Sequence, residues 1–250
     1  MDDESETDDF IDPTAGPTRY VGTSGADYVL LGAYDDTISG KAGDDTLRGE
    51  GGDDIISGND DDDWLLGGTG DDSLSGDSGA DTVDGGAGAD LIRGGAGDDR
   101  LIGGTQSDVI NAGDGDDSVF GGQGADRIAG GDGDDLLKGD NGADHITGGA
   151  GDDSVRGGEG HDTLNGGEGD DILVGDRGND FFVFEGDFGN DKISDFSSGD
   201  VIDLRSQAIE AFEDLVITQN RFGVEITIGE NSIFLAGATS DQVTEHTVLI

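Results

Sequence analysis

The chain is 250 residues long, room for one or two domains, yet only 32% of it is hydrophobic and 50 residues are glycine. Fifty-nine Asp and Glu against 12 Lys and Arg give a formal charge of −47, which argues against nucleic acid and anionic membranes as partners and points to cations. On composition alone such a chain stays unfolded, because it repels itself and buries too little apolar surface to offset the entropy of ordering. With no cysteine, disulfides and thiolate metal sites are excluded.

In chain order, the opening MDDESETDDF has neither the basic n-region nor the apolar h-region of a cleavable secretory signal. Residues 1–21 read as a disordered acidic leader. No apolar run anywhere approaches the roughly 18 residues of a membrane span.

From Gly22 to Val183 the sequence divides into eighteen consecutive nonamers with no insertion or deletion, of which GKAGDDTLR (Gly40 to Arg48) and GGAGADLIR (Gly85 to Arg93) show the form. The sixth position is Asp in all eighteen, and the eighth is Val, Ile, Leu or, at the last, Phe182. Gly fills the first position in sixteen and the fourth in fifteen. Six Gly-rich residues suit a tight turn, since glycine reaches positive φ without a Cβ clash. The last three suit a short strand whose eighth residue points inward.

One buried aliphatic per nine residues cannot offset the entropy of fixing nine backbones, and stacking brings sixth-position carboxylates into columns that repel. A hard divalent cation answers both problems. Ca²⁺ takes six to eight oxygens from carboxylates and carbonyls together, whereas Mg²⁺ demands tighter octahedral geometry and keeps its waters. Zn²⁺ does not suit a chain with no Cys and three scattered His.

The repeats also alternate. From Asp98 the fifth position runs Asp98, Ser107, Asp116, Ala125, Asp134, Ala143, Asp152, His161, Asp170, Asn179, while the eighth is mostly Ile in even repeats and only Val or Leu in odd ones. Two facing sheets with eighteen residues per lap produce this; a nine-residue coil does not. Nine laps at ~4.8 Å each make a rod of about 43 Å. Sixteen pairs of same-side turns filled with Ca²⁺ would bring −47 to −15. Fifth-position Asp, ten of eighteen, reads as outer charge rather than ligand.

These residues resemble the GGxGxDxUx nonapeptide of the RTX, or hemolysin-type calcium-binding, family. The resemblance implies an all-β fold, a right-handed parallel β-roll with two nonapeptides per turn, binding multiple Ca²⁺ (about sixteen) between successive same-side turns. Carried over, the ligands are Asp27, Asp36, Asp45, Asp54, Asp63, Asp72, Asp81, Asp90, Asp99, Asp108, Asp117, Asp126, Asp135, Asp144, Asp153, Asp162, Asp171 and Asp180. Leu31, Tyr34, Asp61, Gln106 and Ala112 replace glycines, so strain or weaker occupancy is expected at their turns.

Past Val183 a two-residue slip precedes two degenerate units, with Asp191 and Asp200 sixth and Ile193 and Ile202 eighth; Asp191 joins the expected ligands. Residues 184–203 thus fade into a cap over 204–250, where VEITI and SIFLAG suggest a β-hairpin that covers the open edge. Eight of ten Phe lie between Phe181 and Phe234. The tail resembles the C-terminal region of RTX exoproteins, which implies an uncleaved secretion signal, a type I (ABC) secretion apparatus as partner, and a secreted, extracellular bacterial protein.

Enzymatic residues are not visible. GDSG at Gly76 to Gly79 lies inside a repeat, and His145, His161 and His246 form no HExxH pair. The reading is a non-enzymatic protein that folds on Ca²⁺ outside the cell. The rival is a calcium-dependent auxiliary module of a secreted enzyme system, with a polysaccharide or protein partner. Outward apolar residues on odd repeats (Tyr28, Leu30, Trp64, Leu66, Ile102, Phe120, Leu136, Ile172, Val174) mark a candidate contact face.

Overall fold

A computed structural model describes residues 8–10 and 16–250. Two parallel sheets face each other, and the chain alternates between them at every repeat. The odd repeats form a 14-stranded sheet and the even repeats a 12-stranded one. Same-side strands pair in parallel one lap apart, as Leu101 with Val119 in the odd sheet and Ile92 with Ile110 in the even one. The nonapeptide is therefore half a lap, and the fold is the parallel β-roll that the period implied.

The interior is a single file of side chains. Every eighth-position residue from Val29 to Phe182 is at most 2% exposed. The two flanking positions face outward, so each strand reads out, in, out.

Strands are longer than the expected three residues. Trp64–Thr69 and Arg100–Thr105, like most others, hold six, taking in the first three positions of the next repeat. The turn proper is only positions four to six. Pairing skips the first position: Leu101, Ile102 and Gly104 have ladder partners, and Gly103 has none there. The second position then turns through positive φ, as at Gly104 (114°) and Gly122 (104°). Two glycines in a strand thus make a kink that a sequence reading takes for turn. Lys41, Glu50, Asn59, Asp77, Asp140 and Asp176 also adopt positive φ at this second position, and Asp61 (77°) and Gln106 (79°) do so at the fourth. Each non-glycine there costs about 1–2 kcal/mol, less for Asn and Asp.

The roll begins before residue 22, which corrects the expected leader boundary. Arg19–Val21 pairs with Thr37–Ala42, and Tyr20, in eighth-position register, is buried. Thr18 takes the sixth-position role, its N–H donating to Asp36 Oδ1 (2.6 Å). Asp8–Phe10 pairs with Tyr28–Leu30 on the odd edge. The rest of the expected leader, residues 1–7 and 11–15, lies outside the described residues.

At the other end the two-residue slip is absorbed without breaking either sheet: Leu173 pairs with Ile193 and Phe182 with Ile202. Asn231–Ala236 joins Asn190–Ile193 in parallel and forms an antiparallel hairpin with Gly223–Ile228, which carries Val216–Gln219 outside it. Val248–Leu249 closes the even sheet on Val201–Asp203. Phe182 packs on Phe196, and Phe184 on Phe188 at 5.1 Å between centroids. This aromatic cluster replaces the thin aliphatic file where the roll ends.

A paired substitution checks the in–out register. In Ca²⁺, Leu101→Ala lowers stability by about 2–5 kcal/mol in a guanidinium melt, as cavity formation in a packed core does, and the half-buried neighbour Ile102→Ala costs less than half as much. Equal costs would contradict the register.

Candidate metal centre

The sixth-position aspartates are drawn inside the turns by their own backbone. Each N–H donates to the Oδ1 of the sixth-position Asp one lap later, as Asp108 N to Asp126 Oδ1 (2.9 Å) and Asp117 N to Asp135 Oδ1 (2.8 Å). Each sixth-position C=O accepts from the seventh residue one lap later, as from Arg127 N at Asp108 (2.9 Å). Carboxylate and amide together form a continuous ladder on each side of the roll. All of the expected ligands, from Asp27 to Asp180 and Asp191, are at most 3% exposed.

One oxygen is satisfied and the other is not. From Asp45 to Asp171 at every ninth residue, and again at Asp191, Oδ2 is buried with no hydrogen-bond partner. A buried polar atom without a partner carries its full desolvation cost. The surroundings show why the first position is glycine. A Cβ built on Gly121 would lie 2.5 Å from Asp126 Oδ2 and 2.9 Å from the carbonyl oxygen of Gly139, one lap on. The same Oδ2 and the same next-lap carbonyl surround Gly67 and Gly85. A carboxylate oxygen and a first-position carbonyl of the next lap therefore crowd the space beside the first-position Cα, where glycine stands in all but two of the eighteen repeats.

Among the described residues, no group of three or more His, Cys, Asp or Glu side chains is placed to hold a metal ion by itself. A cation in these turns must take its remaining oxygens from backbone carbonyls, and a mixed carboxylate–carbonyl oxygen set suits Ca²⁺. The residues present fit that ion.

Electrostatics agree. Burial, partly opposed by the hydrogen bond from the preceding lap and reinforced by neighbouring carboxylates, raises the acid pKa of Asp63, Asp72, Asp99, Asp108, Asp144 and Asp153 to about 7. The same causes take Asp45, Asp54 and Asp135 to about 6 and Asp191 to about 8. Without a cation these groups hold protons at a pH where exposed aspartate has lost them.

The columns end on protein donors. Asp27 Oδ2 accepts from Thr23 N (2.6 Å), and Asp200 Oδ2 from Ser197 N (2.7 Å). Asp195 Oδ1 and Oδ2 accept from Gly175 N (3.0 Å) and Asp176 N (2.7 Å). Asp195 was not read as part of the site; nothing in the nonapeptide pattern marks it, because it stands where a first-position glycine would. Of the irregular turns, Ala112 leaves Asp117 Oδ2 orphaned like its neighbours.

Fifth-position side chains do something the sequence reading missed. Asp98 Oδ1 accepts from Asp116 N (3.0 Å), and Asp116, Asp134 and Asp152 continue the series to Asp170 N. Ser107 Oγ accepts from Ala125 N, and His161 Nδ1 from Asn179 N. These exposed staples run opposite to the buried ladder, from the later lap's N–H back to the earlier lap's side chain.

The profile of the RTX calcium-binding nonapeptide repeat, four copies long, matches residues 21–56, 57–92, 93–128, 120–155, 129–164 and 147–182. No curated protein matches the chain. Among solved structures, it is similar to the extracellular lipase LipA from Serratia marcescens, at 20% identity and a TM-score of 0.41 over 79% of this chain. The match spans 45% of the lipase chain, less than half its length. With the repeats matched across well over half its length and folded as a β-roll, the chain belongs to the RTX calcium-binding nonapeptide repeat family.

Proposed function

We propose that this protein is a secreted bacterial, non-enzymatic β-roll that folds when Ca²⁺ fills its turns outside the cell. The observation that carries the reading is the row of buried, unpartnered Oδ2 atoms at every ninth residue. The ligands in this proposal are the sixth-position aspartates from Asp27 to Asp180 together with Asp191, each ion taking its other oxygens from turn carbonyls. Sixteen of these carboxylates have an orphaned Oδ2, which supports a stoichiometry of about sixteen ions. When bound, Ca²⁺ supplies the positive charge that the columns lack, and the chain's own residues supply register through the Asp N–H to Oδ1 ladder.

Export follows from the same thermodynamics. A chain that needs Ca²⁺ to fold stays unfolded where the ion is scarce, can thread a type I (ABC) apparatus, and folds where the ion is abundant. The tail's resemblance to RTX exoproteins supports that route. Among the described residues no helix is long and apolar enough to cross a membrane.

Three outcomes are expected. Far-UV circular dichroism shows β-structure in Ca²⁺ and loses it in EGTA, and Mg²⁺ does not restore it; an unchanged signal after chelation would sink the proposal. Asp99→Asn retains an acceptor for Asp81 N but puts an NH₂ where Oδ2 was. It lowers the number of bound ions in equilibrium dialysis and costs about 1.5–3 kcal/mol. Asp98→Asn, whose oxygen still accepts from Asp116 N, stays within about 0.5 kcal/mol.

A further outcome concerns pH. Folding raises these aspartates from 3.8 to about 6 or 7, so the ion-free fold is favoured most below pH ~4 and loses stability as pH rises through 6 to 7. In EGTA the β-signal therefore grows on acidification from pH 8, while in Ca²⁺ it is unchanged between pH 8 and 6. Loss of β-signal on acidification in EGTA would reverse the sign and contradict the assignment.

A further inference from the structure

The two rims of the roll are not charged alike. Turns that lead into odd strands stack on one rim, and turns that lead into even strands stack on the other. On the odd rim, from Asp99 to Asp171, every buried sixth-position carboxylate has an exposed one before it in the chain, at Asp98, Asp116, Asp134, Asp152 and Asp170. On the even rim, Asp108, Asp126, Asp144 and Asp162 follow Ser107, Ala125, Ala143 and His161 instead. Of the acids that flank the even-rim turns, Glu159 and Asp176 are already held by Arg177 and Arg156.

Charge arithmetic separates the rims further. One divalent ion per turn neutralises a lap that holds two carboxylates. A lap that holds one is left at +1, and laps are only about 4.8 Å apart. Ions on the even rim therefore repel one another along their column, whereas those on the odd rim do not.

The outer charges are fixed where the inner sites feel them. Asp98 Oδ1 accepts from Asp116 N (3.0 Å) and Asp116 Oδ1 from Asp134 N (2.9 Å), so each exposed carboxylate lies across the next lap's turn. Burial is the largest cause of the raised pKa of Asp117, and repulsion by Asp98 and Asp116 adds to it. For Asp108, after burial, the repelling neighbours are Asp90 and Asp126, both members of its own buried column.

We propose that the fifth-position aspartates set the Ca²⁺ affinity of the turns, so that the even-rim sites at Asp108, Asp126, Asp144 and Asp162 fill last. The inference rests on Ca²⁺ as the ligand of the orphaned Oδ2 atoms, four of which stand in this stretch. One exposed carboxylate about 8 Å from a divalent ion changes its affinity about twofold at physiological ionic strength. Two of them, as beside Asp117, make about fourfold, before repulsion between ions is added. The N-terminal laps belong with the tighter class, since Asp44, Asp53, Asp62 and Asp71 precede Asp45, Asp54, Asp63 and Asp72.

On the full chain, bound Ca²⁺ from equilibrium dialysis and far-UV circular dichroism are followed over one series of free Ca²⁺ concentrations. The dichroism reaches its plateau while four of the sixteen ions are still to bind, and these follow at about fourfold higher free Ca²⁺ or more. Ser107→Asp, Ala125→Asp and Ala143→Asp together bring the late ions forward about fourfold. The matching Asn set supplies the same acceptor oxygens without charge and leaves the late ions where they were. All three positions are exposed. If the Asp set fails to fold, Asp116→Asn, Asp134→Asn and Asp152→Asn together carry the test by delaying odd-rim ions about fourfold. The inference is overturned if every ion binds at the midpoint of the β-signal, if the Asn set advances the late ions as far as the Asp set, or if the odd-rim Asn variant binds like the parent. Ca²⁺-dependent folding is judged separately, by whether the dichroism responds to Ca²⁺ at all.

Discussion

A carboxylate oxygen sealed inside a turn with nothing to bond it is the constraint from which this molecule is built. It recurs at every ninth residue from Asp45 to Asp171, and the backbone enforces it, because each preceding lap's N–H pulls the partner oxygen inward. The fold is thus assembled around an electrostatic debt that apolar packing cannot clear, since the interior is only one side chain wide. A divalent cation with a taste for mixed carboxylate and carbonyl oxygens resolves it, and protons are the only other ligand the chain itself can recruit.

Glycine follows from the same constraint. At most first positions its role is absence of bulk, since a Cβ there would overlap Asp Oδ2, as at Gly67 and Gly121, although Ala112 is accommodated with Asp117 Oδ2 orphaned as elsewhere. At the second and fourth positions φ is positive and a Cβ would also meet a carbonyl of the preceding lap, as at Gly104 and Gly70, yet the chain tolerates Lys41, Glu50, Asp61 and Gln106 there.

The ends of the roll show the logic by stopping it. Where the ladders run out, amides of Thr23 and Ser197 take the oxygens that are orphaned elsewhere, and Asp195 brings a carboxylate to two backbone N–H groups. Beyond them the cap is held by Phe182, Phe184, Phe188 and Phe196, an ordinary aromatic core. With the interior dictated by the repeat, individuality is confined to the outward seventh and ninth positions. These carry exposed apolar residues on both sheets, Ile55 and Val109 on the even one as well as Tyr28 and Trp64 on the odd, so exposure alone does not single out a contact face. Parallel stacking makes such positions into rows, as with Tyr28, Thr46 and Trp64 on successive strands of the odd sheet.

The sequence by itself determined the period, the two-sheet lap, the inward file from Val29 to Phe182, the burial-prone Asp column and the hairpin that ends the odd sheet. Each is a local pattern repeated without interruption, and repetition converts local preference into global register. Tertiary structure alone decided which oxygen of each aspartate is used, that strands run six residues through a double glycine, that fifth-position Asp98 or Asp116 staples the laps outside, and that Thr18 and Tyr20 already belong to the roll. These depend on which atoms meet across eighteen or twenty residues. A nine-residue pattern specifies that two laps stack, but the pairing of an amide with Oδ1 and the desertion of Oδ2 exist only once they have stacked.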